Sequence, residues 1–520
     1  MTDFPWLTTL LLIPAIGGAG VALLPKGFER VREVALGISL LTLVVGILTA
    51  FQFELGGGGD SQFQLTEVYS WIPQFGVSYA LGIDGISLTM ILLSVVLVPI
   101  CLLAAWEDVP LGHARRQHGY FALMLILEAF MIGVFAATDV FMFYVFFEAM
   151  LIPVYFLIGS FGGPGRAKAA TTFLLYSLLG GLIMLVAVIG VYFQGPGGAD
   201  GFLIENLTGL EISTWIERAL FVGFFIAFAI KAPMWPVHTW LPHAASEARP
   251  ATSVLLVGVL DKVGTFGMIR FCLQMFPDAS RWATPVVMVF AVLSILIGAA
   301  LAIGQRDMMR LIAYTSISHF GFIVLGIFAV TTVSQTGSTL YMVNHGFTTA
   351  ALFLIGAMLV QRRGSQDIFD FGGWQRVTPL VAGSLLVAGL SGLALPGLNS
   401  FVSEFMVIIG TYQNYPVYAV VGTMGVILAA LYILLMYQKI ATGPKPQEWS
   451  ATPDMSLREK FVVAPLIAAF LVLGFYPKPV LDVLEPAVDT TLQYVGVSGS
   501  GSDEASAPDD ASDTTEGSDD

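Results

Sequence analysis

Read in windows of about 19 residues, fourteen apolar stretches punctuate this 520-residue chain, and no other feature limits its fold so severely. They run near 5–24, 34–53, 83–105, 119–137, 139–161, 168–193, 216–246, 250–275, 283–303, 308–330, 338–360, 379–412, 415–438 and 461–477. Hydrocarbon offers no water to backbone N–H and C=O groups, so segments of this length must satisfy them internally as helices. The expectation is an all-α polytopic membrane protein of about 14 transmembrane helices. Composition agrees: 56% hydrophobic and 12% charged residues cannot cover a water-soluble fold of this size with polar surface. "MTDFPW" lacks a basic n-region and the stretch after it is too long for an h-region, so the first span is expected to be retained.

The connections alternate in charge. "PKGFERVR", "HARRQH", "GPGRAK", "GQRDMMR", "QRRGSQ" and the loop 439–460 are basic, and 17 of the 23 Lys and Arg residues lie in or beside odd-numbered loops. The positive-inside rule turns these loops to the cytoplasm and, with fourteen spans, puts both termini on the non-cytoplasmic side of a cell inner (plasma) membrane. The net charge of −14 owes much to the tail "SGSGSDEASAPDDASDTTEGSDD", with eight acidic residues and no basic one. That tail is expected to be disordered and solubilising, or a docking segment. Lipid is the expected environment, and no nucleic-acid partner is expected.

Two stretches carry helix breakers beside a lone charge: "FAIKAPMWPVHTWLP" at 228–242 with Lys231, and "LSGLALPGLNSFVSEF" at 390–405 with Glu404. Pro233 and Pro236, and Pro396 with Gly397, free upstream carbonyls, so both spans should be broken helices able to hold water or a cation near the charge. Lys231 and Glu404 are 173 residues apart, and Glu148 and His319 are 171 apart. One period therefore holds five spans, and an odd number reverses orientation, which makes the halves inverted five-helix repeats of the kind found in ion-coupled transporters. The expected partition is 1–118 for three N-terminal spans, 119–275 and 276–438 for the repeats, 439–496 for the last span with its flanks, and 497–520 for the tail.

Inside the spans the candidate ionisable groups are Glu148, Lys231, Lys262, His319, His345 and Glu404. A charge at the bilayer centre costs about 2.5–3.5 kcal/mol even on the lenient insertion scale. Any one of them could be a structural ion pair, a helix cap or a snorkelling side chain. Lys262 resists the last reading, because it lies about twelve residues, or about 18 Å, from either end of its span. Six such groups with two broken helices point instead to proton transfer. Moving one charge against ~150 mV costs about 3.5 kcal/mol, which a swing of about 2.5 pKa units matches. Making or breaking a buried Glu–Lys contact, such as Glu148 with Lys231, supplies a swing of that size. His319 and His345 suit intermediate positions, since imidazole titrates near neutrality.

Other features carry less. Cys101 and Cys272 are far apart in apolar stretches and read as buried core thiols. His238 and His243 lack helical spacing and a third metal ligand, and His113 and His118 flank Arg115 and Arg116 in a basic loop. No Gly-rich nucleotide loop, thiolate cluster or haem motif occurs, so redox chemistry coupled to this chain must lie elsewhere.

On "GIDGISLTMILL", "FFEAMLIPVYFLIG", "IKAPMWPVHTWLP", "YTSISHFGFIVLG", "VNHGFTTAALFL" and "LPGLNSFVSEF", the chain resembles the antiporter-like membrane subunits of respiratory complex I, the proton-pumping NADH:quinone oxidoreductase. In that family the position of Glu404 is glutamate in the M-type member and usually lysine in the sister subunits L and N and in several cation/proton antiporter subunits. The resemblance implies that Glu148 and Lys231 form an input pair, that Lys262 is a central relay, that His319 and His345 continue the axis, and that Glu404 is the outlet-side group. It also implies a translocase subunit without its own cofactor. FMN, iron–sulfur clusters and quinone would belong to partner subunits, and membrane-arm neighbours such as L and N would flank the chain. His243, Arg249 and Ser400 depart from the family pattern. A subunit of a multisubunit cation/proton antiporter is the alternative.

Overall fold

The computed structural model describes residues 4–25, 27–56, 61–109 and 114–496. The acidic tail 497–520 and His113 lie outside the described residues. Among those described, eleven helices are long and apolar enough to cross a membrane, or twelve if the bent pair Leu457–Phe475 and Lys478–Tyr494, at 69°, makes one span. This falls short of fourteen for a local reason. The stretches 216–246 and 379–412 are each split into two helices, Thr214–Lys231 with Trp240–Glu247 and Pro379–Gly392 with Asn399–Asn414, and 461–477 belongs to the bent pair.

Two peripheral helices open the chain, α1 (Trp6–Leu23) and α2 (Val31–Gln52). A hairpin follows, β1 (Gln64–Ile72) paired antiparallel with β2 (Val77–Ile83). The hairpin corrects the all-helical expectation. Val, Tyr, Trp and Ile favour an extended chain here, and Gly76, at φ 69°, closes the turn after Pro73. Glu67 on β1 accepts from Leu7 N at 2.8 Å, satisfying one of the free amides at the start of α1.

Next come α3 (Gly85–Ala104), α4 (Ala114–Ala136), α5 (Val140–Ala149), α6 (Leu151–Phe161), α7 (Arg166–Tyr192) and a single turn, α8 (Ile204–Leu207). Then α9 (Thr214–Lys231) and α10 (Trp240–Glu247) flank the first break. The following span, Pro250–Leu273, comprises α11 (Pro250–Leu255), a π-helical turn over Leu256–Leu260, α12 (Lys262–Gly267) and a second π-helical segment over Met268–Leu273. Beyond it lie α13 (Pro277–Ile303), α14 (Met308–Phe328) and α15 (Thr332–Arg363). The second break separates α16 (Pro379–Gly392) from α17 (Asn399–Asn414), and α18 (Pro416–Ala441), α19 (Leu457–Phe475) and α20 (Lys478–Tyr494) complete the chain.

Burial ranks these helices. The span Pro250–Leu273 is wholly enclosed, and α14, α15, α3 and α4 are largely so, whereas α1 and α2 keep most of their apolar surface outward. Leu40, Leu41, Val44, Ile47 and Leu48 form such an outward stripe on α2, as expected of a helix facing lipid. Lys262, His319 and His345 sit on the enclosed helices. There, an ionisable side chain can meet only protein or water.

The breaks satisfy their own backbone. Trp240 Nε1 donates to Ile230 O at 3.0 Å, and Trp235 N donates to Ser294 Oγ at 2.8 Å. In the second break Asn344 Nδ2 donates to Asn399 O at 2.8 Å, and Asn399 Nδ2 returns a bond to Asn344 O at 3.0 Å. Ser391 Oγ adds a bond to Asn399 Oδ1 at 2.6 Å. Freed main-chain groups at membrane depth persist only with such partners.

Candidate functional site

The π-helical turn before α12 sets the centre of the site. Asp261 N bonds to Leu256 O, five residues back, at 3.0 Å, so side chains after the turn aim differently from those of a straight helix. Lys262 Nζ donates to Val257 O at 2.7 Å and lies 2.7 Å from His345 Nδ1 on α15. Both residues are buried. An ammonium has donors only, so His345 accepts on Nδ1 and carries its hydrogen on Nε2, which faces Thr349 Oγ1 at 3.0 Å.

One turn before His345 on α15 stands Tyr341, which the charge pattern alone does not single out. Its hydroxyl donates to Glu404 Oε2 at 2.6 Å and lies 2.6 Å from His319 Nδ1. With its one hydrogen given to Glu404, Tyr341 must accept from His319, which puts that imidazole's hydrogen on Nδ1. The His319 and His345 ring centroids are 5.5 Å apart. Lys262, His345, His319, Tyr341 and Glu404 thus form one polar line with a single gap between the two imidazoles.

The other side is looser. Lys231, the last residue of α9, is buried, and its Nζ has no hydrogen-bond partner. It sits 5.1 Å from the Phe147 ring centroid and 5.8 Å from that of Phe173. Glu148 is half-buried, and its Oε1, also without a partner, lies against Gly181 of α7, where a Cβ would collide with it. No ion pair closes between Glu148 and Lys231, although Lys231 is within electrostatic reach of both Glu148 and Asp261.

Two further buried carboxyls belong to this inventory. Asp261 is fully buried with neither oxygen hydrogen-bonded, and it lies within electrostatic reach of Lys262 and Lys231. Glu128 on α4 is likewise buried and unpartnered. Their signal was a charge inside an apolar stretch, "GVLDKV" and "LILEAF". By contrast Arg270 is neutralised, 2.5 Å from Asp84 at the start of α3.

Among the described residues no group of three or more His, Cys, Asp or Glu is placed to hold a metal ion. A cleft of about 600 Å³ opens at one end of the bundle, lined in part by Asp108, Glu247, Arg249, Met358, Arg458 and Glu459.

Similarity to known proteins identifies the family. The family described as NADH:quinone oxidoreductase/Mrp antiporter, TM, matches residues 137–431, and the one described as NADH-ubiquinone oxidoreductase chain 4, amino terminus, matches 61–134. The chain belongs to this family of NADH:quinone oxidoreductase membrane subunits. NADH-quinone oxidoreductase subunit M of Mycobacterium tuberculosis (strain ATCC 25618 / H37Rv) is 48% identical over 531 residues, covering 95% of each chain. Among solved structures, a chain of respiratory complex I from Thermus thermophilus with bound NADH superposes with TM-score 0.85 at 30% identity, covering 94% of this chain and all of that one. A chain of the Mrp complex from Dietzia sp. DQ12-45-1b, at 23% identity and TM-score 0.83 over 95% of this chain, shares the fold.

Proposed function

We propose that this chain is the M-type proton-translocating membrane subunit of an NADH:quinone oxidoreductase in a bacterial inner membrane. The observation that carries the reading is the polar line from Lys262 through His345, His319 and Tyr341 to Glu404, built across enclosed helices. Glu148 and Lys231 form the input pair, Lys262 is the central relay, His319 and His345 continue the axis, and Glu404 is the outlet-side group. Quinone reduction elsewhere in the complex drives these steps. FMN, iron–sulfur clusters and quinone belong to partner subunits, and the sister subunits L and N flank this chain in the membrane arm.

Counting each broken pair as one crossing, and α19 as another, brings the spans to fourteen. The partition follows: 119–275 and 276–438 as inverted five-helix repeats, preceded by 1–118 and followed by 439–496. The Lys/Arg distribution supports cytoplasmic odd-numbered loops and both termini outside. The 600 Å³ cleft is then cytoplasmic, because Arg249 and Arg458 line it.

Lys231→Ala in the assembled complex, reconstituted in vesicles, tests the reading. Pumping driven by NADH should collapse, and undiminished pumping would defeat it. The second reading, a cation/proton antiporter subunit, draws on the shared Mrp fold, and Glu404 disfavours it. Co-purification separates the two, since flavin and iron–sulfur subunits accompany only the first.

A further inference from the structure

We infer that Asp261 is a proton-carrying group between Lys231 and Lys262, joining the loosely held side of the site to the hydrogen-bonded side. The inference rests on the proton-translocation reading above and adds a station to it.

Several buried carboxylates among the described residues are held by two or more donors. Asp84 accepts from Ser87 N at 2.9 Å and lies 2.5 Å from Arg270. Asp139 accepts from Ser78 N at 3.0 Å and Met142 N at 2.8 Å, and Glu459 accepts from Arg362 at 2.7 and 2.8 Å. Donors so placed satisfy a carboxylate's lone pairs and hold it in one orientation. Asp261 has no such donor on either oxygen, yet it is fully buried with two lysines in electrostatic reach. No donor ties such a carboxyl in place, so its oxygens remain available to take up a proton and pass it on, as a proton carrier requires.

Its placement on the helix adds direction. Gly264, three residues on and on the same face, packs directly on the end of α9, where an added Cβ would come within 2.6 Å of Phe228 O and Ala232 N. That face therefore packs on the end of α9, whose last residue, Lys231, immediately precedes Ala232. Lys262, the next residue round the helix, turns instead to α15 and His345. Two consecutive side chains thus address two different neighbours. A proton leaving the Lys231 ammonium breaks an N–H bond and forms an O–H bond on Asp261. Asp261 then yields that proton to the neutral amine of Lys262, restoring carboxylate and ammonium.

Asp261→Asn keeps size and polarity but removes proton capacity. In the complex, with assembly checked by native electrophoresis and Lys231→Ala measured beside it, Asp261→Asn should lower the rate of NADH-driven pumping by about tenfold or more. Asp261→Glu should restore most of that rate with a displaced pH profile. Parent-level pumping by Asp261→Asn while Lys231→Ala is inactive overturns this inference alone, whereas parent-level pumping by both also removes the reading beneath it. A loss that Asp261→Glu does not restore assigns Asp261 to packing and overturns the inference too. Should Asp261→Asn not assemble, Asp261→Glu decides: a displaced pH profile supports proton carriage, and a profile identical to the parent's refutes it.

Discussion

Lys262 Nζ and His345 Nδ1 lie 2.7 Å apart, joining a wholly enclosed span to α15. A buried ammonium needs such an acceptor, and the neutral imidazole of His345 supplies it. Together they form a donor–acceptor pair along which a proton can shift by less than the length of one hydrogen bond. The same α15 presents Tyr341 one turn away, so one helix organises both the Lys262 end and the Glu404 end of the line.

Tyr341→Phe should separate the relay from the fold. The ring stays, but Glu404 Oε2 and His319 Nδ1 lose their shared hydroxyl, and leaving such groups buried without a partner costs about 1–3 kcal/mol each. The subunit should still assemble while proton pumping falls by about tenfold or more. Vesicle pumping checks this. Parent-level pumping would exclude Tyr341 as a conductor.

Asp84 makes the complementary case, a charge kept for structure. One oxygen caps α3 through Ser87 N and the other holds Arg270. Asp84→Ala strands a buried guanidinium, a defect of about 3–5 kcal/mol. It should deplete the assembled complex in membranes, as read by native electrophoresis. Asp84→Asn keeps a capping oxygen and should be milder.

At the cleft, Asp108 gives a pH signature outside the spans. Burial pushes its carboxyl up to about 6 from the ordinary 3.8, against the opposing pull of Arg249 and Arg458. Because the folded value is the higher one, the neutral form is favoured by the fold. Its contribution to stability is greatest below the unfolded value and is lost as pH rises through about 6. Infrared titration should show a protonated-carboxyl band that disappears near that pH and is absent from Asp108→Asn. Complete ionisation already at about pH 4 would contradict it.

Much of this was legible in the residues. Lengths of apolar sequence located the enclosed helices, and prolines beside Lys231 and before Glu404 marked the two interruptions. The hairpin 64–83 was not, because an extended segment between spans carries no span-length signal. Tyr341 was missed for a different reason: it has no charge at neutral pH, and only its spacing of four residues from His345 hints that both face one line. Asp261 stood in plain view beside Lys262. What the sequence does not convey is the π-helical turn over Leu256–Leu260, which changes how the side chains after it are aimed. Nor does opposite charge imply contact, since Lys231 and Glu148 form no ion pair here.

The most direct test is the number of protons moved per NADH oxidised when Lys262 is replaced by methionine, which keeps an unbranched chain of similar length and removes the exchangeable proton. The account predicts an assembled complex whose proton yield and coupled turnover both fall sharply. A Lys262→Met complex pumping at the parent ratio and rate would contradict it.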